Sequence, residues 1–274
     1  FRLIGVAGAN PGAWIETLDG NYMSAGAIEF TFLQSILSSL ATISLGLPVA
    51  WLLGRYDWRM QSIIRAVLTV PFVMPSIIAA MGILTLTGDS ALGIRSDEGT
   101  WFWTLIIAHA WFNMSLVIRF CEPILATLDP SMEEQLRLLP AGRTISGRVR
   151  HLWLPVLIPP LSASFCMSFV FSFTSFALVR WITIRDNTLE SVMAISSPSA
   201  GIEGYMAFTS EIVLASSLIQ FAVLSVSLWL ASRIQRELQR QYPMAPARVA
   251  RGRFDYGWVF MAPALLFSIA PILS

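Results

Sequence analysis

The basic side chains of this 274-residue chain, 18 in number, are all arginine. A phosphate-binding P-loop needs a lysine, as do pyridoxal enzymes and protein kinases, so the lack of lysine in the sequence excludes these classes. The histidines and cysteines (His109, His151, Cys121 and Cys166) are too few and too scattered for a structural zinc cluster. The net charge of +1 gives no reason to expect a nucleic-acid partner. We therefore expect no metal site and no cofactor.

Two polar residues, His109 and Asn113, lie within a long apolar stretch, where polar side chains are costly and therefore informative. Their spacing of four places both on one face of a helix. They can hydrogen-bond to a neighbouring helix and hold a bundle together, or they can line the path of a solute. No carboxylate lies deep in an apolar stretch, which argues against a proton-relay pump.

Prolines and hydroxyl residues mark two further apolar stretches. Pro71 and Pro75 are four residues apart, and prolines at this spacing kink a helix and free backbone carbonyls on one side. Kinked helices occur where transporters open and close, and also as inert bends. A later stretch carries a stripe of serines with a threonine beside it: Ser164, Ser168, Ser172, Ser175 and Thr174. Such a stripe allows close helix packing or lines a polar path.

The elements that position these residues follow from the distribution of charge. Only 13% of the residues are charged, against about 25% in soluble domains. Six stretches of 19 to 29 residues carry no charge at all. A helix needs roughly 20 mostly apolar residues to cross the bilayer. The sequence predicts an all-α polytopic membrane protein, a helical bundle of about six crossings near 30–53, 66–87, 101–126, 154–176, 212–231 and from 257 onward.

The orientation of the bundle follows from the arginines in its connections. If the first 29 residues lie outside, all but four of the 18 arginines fall in cytoplasmic segments. The four exceptions are Arg2, Arg95, Arg180 and Arg185. The positive-inside rule therefore predicts a cytoplasmic location for the long connection 127–153.

That connection is patterned rather than featureless. Asp129 and Pro130 form a helix start, followed by the acids Glu133 and Glu134 in the first turn. Pro140 and Gly142 then end this helix, and a second short helix is expected from Thr144. An amphipathic loop of this kind can lie on anionic lipid or can receive a cytoplasmic partner.

The run 129–160 resembles the cytoplasmic "EAA" loop of ABC-importer permeases, the binding-protein-dependent transport components with the MetI-like fold. Counted back from Leu154 and Pro155, Gly142 falls on the glycine of that pattern. Counted from the start of the helix, Glu134 matches its glutamate, but Pro140 then replaces the glycine. Motifs around Pro71 and Pro75, from Ala108 to Arg119, around Thr174 and at 188–190 are similar to the thiamine and iron(III) importer permeases.

This resemblance implies a type I ABC importer transmembrane domain that is not itself an enzyme, because ATP hydrolysis resides in a separate subunit. The implied partners are a cytoplasmic ATPase dimer, an extracytoplasmic solute-binding protein, a second permease half and the lipid bilayer. The residues expected at the ATPase are Glu133, Glu134, Ala141, Gly142, Arg143, Leu154 and Pro155. Those expected along the solute path are His109, Asn113, Pro71, Pro75, Thr174 and Ser175.

The expected layout is an external segment 1–29, a permease domain 30–234, a cytoplasmic linker 235–256 and the start of a further transmembrane segment at 257–274. We read the chain as a piece of a longer protein in which 257–274 opens a second permease half. The alternatives are a secondary transporter and a membrane scaffold, neither of which needs an ATPase. An intramembrane enzyme is a weaker alternative, because His109 has no catalytic partners at membrane depth.

Overall fold

The computed structural model describes residues 25–57, 60–87, 100–183, 188–196, 203–241, 252–253 and 257–273. They are almost entirely helical, which confirms the all-α prediction. The helices are α1 (Ala25–Arg55), α2 (Gln61–Val73), α3 (Ser76–Thr87), α4 (Thr100–Thr127), α5 (Pro130–Leu138), α6 (Ile145–Arg148), α7 (Leu154–Phe173), α8 (Ala177–Ile182), α9 (Leu189–Ser196), α10 (Glu203–Gln241) and α11 (Gly257–Leu273). A two-residue parallel pairing joins β1 (Tyr56–Asp57) to β2 (Gly252–Arg253).

Within these described ranges, four helical spans are long and apolar enough to cross a membrane. They are Gly26–Arg55, Thr100–Thr127, Ile145–Phe173 and Val213–Glu237. The pair α2 and α3 counts as a fifth if it forms one broken span, and the apolar part of α11, Val259–Leu273, is shorter. The predicted crossings thus all correspond to apolar helices, although the second is divided in two. We call the arginine-rich end of the bundle its cytoplasmic end.

The break between α2 and α3 is a bend of 101°. Met74 has extended backbone angles, φ −67° and ψ 146°, because the ring of Pro75 disfavours the helical region for the residue before it. Pro71, by contrast, lies buried inside α2 and does not end it. Of the two prolines, only Pro75 coincides with the break.

Helix α4 forms the centre of the bundle, with two-thirds of its apolar window buried. Helix α1 packs against it through two glycines, Gly46 and Gly54. A Cβ atom at these positions would stand 2.7 Å from the Cβ of Val117 and 2.6 Å from the Cβ of Leu125, so only glycine allows this approach. Small residues serve the same purpose at other helix contacts in membranes.

Helix α11 packs against the preceding block on α1, α2 and α3. The indole Nε1 of Trp111, near the middle of α4, donates a hydrogen bond to the Ser268 carbonyl at 3.2 Å. A Cβ on Gly82 would overlap the backbone carbonyl of Pro271. The segment predicted to open a second unit is therefore in close contact with the first.

The predicted layout differs from these elements at its edges. Helix α1 begins at Ala25, inside the expected external segment 1–29, whose first 24 residues lie outside the described part of the chain. Helix α10 continues to Gln241, well into the expected linker 235–256. Most of that linker also lies outside the described ranges.

Candidate functional site: a cytoplasmic loop and a buried polar seam

The loop between α4 and α7 begins with a capped helix, as predicted. The Asp129 carboxylate accepts a hydrogen bond from the backbone N–H of Ser131 at 2.8 Å, and Pro130 occupies the first turn of α5. This hydrogen bond stabilises the charged form and holds the pKa of Asp129 below its ordinary value. The cap fixes where α5 starts relative to the end of α4.

After α5, a tight 3₁₀ turn (Pro140–Gly142) reverses the chain toward a second short helix, α6. The Thr144 hydroxyl caps α6 by accepting from the N–H of Gly147 at 3.1 Å, which confirms the helix start predicted at Thr144. A π-helical turn (Val149–Trp153) then leads without a break into α7. The loop is thus a folded unit that continues directly into a membrane helix.

Two glycines make this folding possible. A Cβ on Gly142 would overlap the carbonyl of Leu136 in α5, and a Cβ on Gly147 would overlap the carbonyl of Ala141. The first agrees with the prediction that a larger side chain at 142 obstructs the turn. The role of Gly147 was not predicted, although its place between the cap Thr144 and the end of α6 is a sequence signal from which it could have been.

Glu133 is the electrostatic centre of the loop. Its carboxylate lies 2.6 Å from Nη2 of Arg55 at the end of α1 and 2.8 Å from Nη2 of Arg137 in α5. Nε of Arg148 in α6 lies 3.8 Å away. The Glu133 side chain is only 11% exposed, and each of these arginines belongs to a different element. One carboxylate therefore joins α1, α5 and α6.

The residues predicted to contact an ATPase divide into two groups. Those with exposed side chains are Glu134, Ala141, Arg143, Leu154 and Pro155. Gly142 and Glu133 are buried. Glu133 differs from Glu134 because adjacent positions on a helix point about 100° apart and its side chain turns toward Arg55. The contact of all these residues with an ATPase stays a prediction.

Above the loop, a seam of polar side chains runs between α1, α4 and α7. Asn113 donates to the Ser172 hydroxyl at 3.3 Å, and Ser168 donates to Thr42 at 3.1 Å. The ring of His109 stands 3.5 Å from the hydroxyl of Ser38. The members of this seam are buried: Gln34, Ser38, Thr42, His109, Asn113, Ser168 and Ser172.

The seam bears on the two interpretations of His109 and Asn113. Both residues face neighbouring helices at hydrogen-bond distance and are about 1% exposed. The geometry therefore favours interhelical hydrogen bonding over lining of an open path. The serine stripe of α7 divides in the same way, since Ser164, Ser168 and Ser172 are buried while Ser175 is partly exposed.

The remaining predicted path residues lie at or near breaks in helices. Helix α7 ends before Thr174 and α8 begins at Ala177, so Thr174 and Ser175 lie in the connection between them. Helix α8 packs against α3, which follows the break at Pro75. Pro75 and the pair Thr174 and Ser175 thus each directly precede one of two helices that pack together, α3 and α8.

A cavity of about 760 Å³ opens between α2 and α4 toward their cytoplasmic ends, and no sequence pattern predicted it. Arg65 and Glu122, which form a two-pronged ion pair, contribute to its lining together with Arg119. Glu122 is buried near the end of α4, whereas Arg119 is exposed and makes no ion pair within the described residues. The lining therefore carries a net positive charge.

Comparison with known proteins identifies the family. Residues 28–240 match the model of the family described as "Binding-protein-dependent transport system inner membrane component". The chain belongs to this family. It is accordingly a multi-pass inner-membrane component of a transport system, and the MetI-like resemblance of the loop is confirmed at the family level.

Individual relatives are similar over part of their length. The sulfate transport system permease protein CysT of Salmonella typhimurium is 28% identical over 178 residues, which cover 62% of this chain and 64% of that protein. The CysT protein of Escherichia coli is 28% identical, covering 59% of this chain and 60% of that protein. A probable molybdenum ABC transporter permease of Haloferax volcanii is 25% identical, covering 65% of each. The chain thus spans less than two thirds of the length of these relatives, and none of their names includes thiamine or iron.

Proposed function

We propose that this chain is the transmembrane subunit of an ATP-driven importer and that its loop 127–153 is the site where a cytoplasmic ATPase dimer docks. The observation that carries the proposal is that the loop combines an ion-paired, buried centre with an exposed apolar face. Leu138, Leu139 and Ile145 are 82%, 56% and 67% exposed on a loop whose centre is an ion-paired, buried carboxylate. Large apolar side chains displayed on a rigid support are typical of a protein interface.

The alternative, a loop lying on anionic lipid, is less well supported by this surface. Glu134 is exposed beside the apolar residues, and a carboxylate is repelled by anionic headgroups. The same carboxylate can pair with an arginine or lysine of a protein partner. Glu134 and Arg143, one of each charge, are therefore the proposed polar contacts of the docked ATPase.

The proposed mechanism is alternating access. An external binding protein delivers the solute, and closure of the ATPase on ATP moves the loops of two permease halves. Each partner must contact the two conformations differently for this to work. Helix α11 supports the presence of a second half, because it buries Met261 and Ser268 against the first block as a further membrane helix would.

Two classes of solute are proposed. Thiamine or ferric iron follows from the motif resemblance alone. A small anion is the second candidate, favoured by the net positive lining of the α2–α4 cavity and by the sulfate and molybdenum relatives. Uptake of labelled thiamine, ferric iron and sulfate by cells that carry the complete transporter distinguishes these solutes.

The docking proposal is tested by copurification. Gly142→Leu forces α5 away from the turn and should abolish both copurification of the ATPase and uptake. Gly26→Leu is the matched control, because a Cβ there meets nothing within 4 Å. Arg143→Glu should weaken ATPase binding without unfolding the loop. Unchanged copurification in the Gly142 and Arg143 variants would favour a secondary transporter or a scaffold.

A further inference from the structure

The loop is joined covalently to the bundle at two places, the end of α4 and the start of α7. At the start of α7 the helix runs without a break from the loop into the membrane, which fixes the orientation of α6. The hinge at Leu128 and Asp129, between α4 and α5, is not helical. A push on the exposed face could therefore be absorbed by rotation of α5 about this hinge unless a further point of contact fixes its orientation.

The contact between Arg55 and Glu133 is such a point. Arg55 belongs to α1, which does not adjoin the loop in sequence. Its Nη2 lies 2.6 Å from the Glu133 carboxylate. Its Nη1 lies 3.5 Å from the carbonyl of Leu128 in the hinge itself. Arg55 therefore holds both the hinge and the first helix after it.

The position of Arg55 is supported in turn. Its guanidinium lies 5.9 Å from the ring centroid of Trp51, and the rings of Trp51 and Trp153 meet edge to face at 4.4 Å. Trp153 directly precedes α7. The cytoplasmic end of α1 is consequently packed against both ends of the loop, through an ion pair at one end and an aromatic pair at the other.

The contact between the loop and α1 depends on the negative charge of Glu133. Three arginines converge on this one carboxylate, and the side chains of Arg55 and Arg148 are each only 15% exposed. Without the negative charge, these two cations would face each other with little water to separate them. Removal of the Glu133 charge would therefore release the loop from α1 rather than merely weaken one bond.

We propose that Glu133 is a positioning residue that fastens the loop to α1 through Arg55, so that movement of the docked loop is transmitted to α1 instead of being lost as rotation of α5 about its hinge. This inference rests on the proposed docking of an ATPase. It assigns different roles to two adjacent acids, with Glu134 facing the partner and Glu133 facing the membrane domain.

The test uses the complete transporter, with its ATPase subunits, in lipid nanodiscs. Spin labels at Met132 and Leu40, both exposed, report the orientation of the loop relative to α1, with the buried Cys121 and Cys166 replaced by alanine. A second pair at Leu33 and Ile78 reports movement of α1 against α3 when Mg-ATP and vanadate are added. The variants are Glu133→Gln, Glu134→Gln, Arg55→Glu and the exchanged pair Arg55→Glu with Glu133→Arg.

We expect Glu133→Gln and Arg55→Glu to broaden the Met132–Leu40 distance distribution while the ATPase still copurifies. The fraction of molecules that shift on adding vanadate should fall about tenfold, within the usual range of coupling between sites. The exchanged pair should restore both signals. If it fails to fold, Arg55→Lys, which keeps the charge, should retain an intermediate response.

Three results would overturn the inference: wild-type signals in Glu133→Gln, loss of the ATPase in Glu133→Gln to the same extent as in Glu134→Gln, or no recovery in an exchanged pair that folds. The docking proposal fails separately, if Glu134→Gln and Arg143→Glu both keep the ATPase bound. Arg236→Gln serves as the charge control, because among the described residues this cytoplasmic arginine hydrogen-bonds only within α10.

Discussion

The cytoplasmic loop and the membrane seam both hold helices together with polar groups, but they use different chemistry. The seam joins α1, α4 and α7 through neutral hydroxyl, amide and imidazole groups. The loop is joined to α1 through a charged carboxylate shared by three arginines. Hydrogen bonds between neutral groups each contribute little in a membrane, whereas a buried charge is expensive to leave unpaired. The seam is therefore suited to packing, and the loop to a contact whose loss has large consequences.

The largest expected effect is at Gly147, where the loop approaches its own backbone. Gly147→Ala places a Cβ into the carbonyl of Ala141, so α6 and its Thr144 cap must rearrange. We expect a loss of about 4 kcal/mol or local unfolding of the loop, as for the most damaging single substitutions. Limited proteolysis between α5 and α7 measures it, with Gly26→Ala as the control. An uncut loop in Gly147→Ala would mean that this close approach is not required.

The second effect is expected at the ion pair of Arg65 and Glu122, and it tests whether the loss of a charged contact is also destabilising at the cytoplasmic end of the membrane helices. Arg65→Ala leaves the buried Glu122 carboxylate unpaired, and we expect a loss of about 3 kcal/mol, at the low end for buried pairs because Arg65 is 41% exposed. Glu122→Ala leaves an arginine that water can reach and should cost only about 1 kcal/mol. Denaturation in detergent measures both. Equal losses would contradict the asymmetry.

The third effect concerns the seam and should be small. Asn113→Ala removes the hydrogen bond to Ser172, and such bonds in membranes contribute about 0.6 kcal/mol on average. Ser162→Ala is the control and should change almost nothing, because within the described part of the chain this hydroxyl bonds only to the Ile158 carbonyl of its own helix. A loss of several kcal/mol in Asn113→Ala would show that the seam is as sensitive as the loop, and the contrast would fail.

The smallest effect is a pH dependence at Asp129. Its pKa is lowered in the folded loop by the Ser131 N–H, so its stabilising contribution is present above the ordinary pKa and is lost as the pH falls through the lowered value. Asp129→Asn keeps the acceptor and should match the parent at neutral pH while removing the acid sensitivity. Hydrogen exchange at the Ser131 amide during an acid titration measures this. The same acid response in both proteins would rule the carboxylate out as its cause.

Local sequence signals predicted much of this structure. The apolar stretches, the Asp129 cap and the second helix at Thr144 depend on neighbours within a few residues. Which of Glu133 and Glu134 is buried could not be predicted from the sequence, because both acids suit the first turn of α5 equally well. Which one turns inward depends on Arg55, which reaches the loop from another helix. The cavity between α2 and α4 was hidden for the same reason, since its walls come from separate segments.

The short parallel pairing of Tyr56–Asp57 with Gly252–Arg253 has a consequence for biosynthesis. The end of α1 and β1, which follows it directly, leave the ribosome long before β2, the strand that pairs with β1. At about 5 to 20 residues per second, the first partner waits on the order of 10 to 40 s for the second. The helices in between therefore have that interval in which to insert and assemble before the pairing can form.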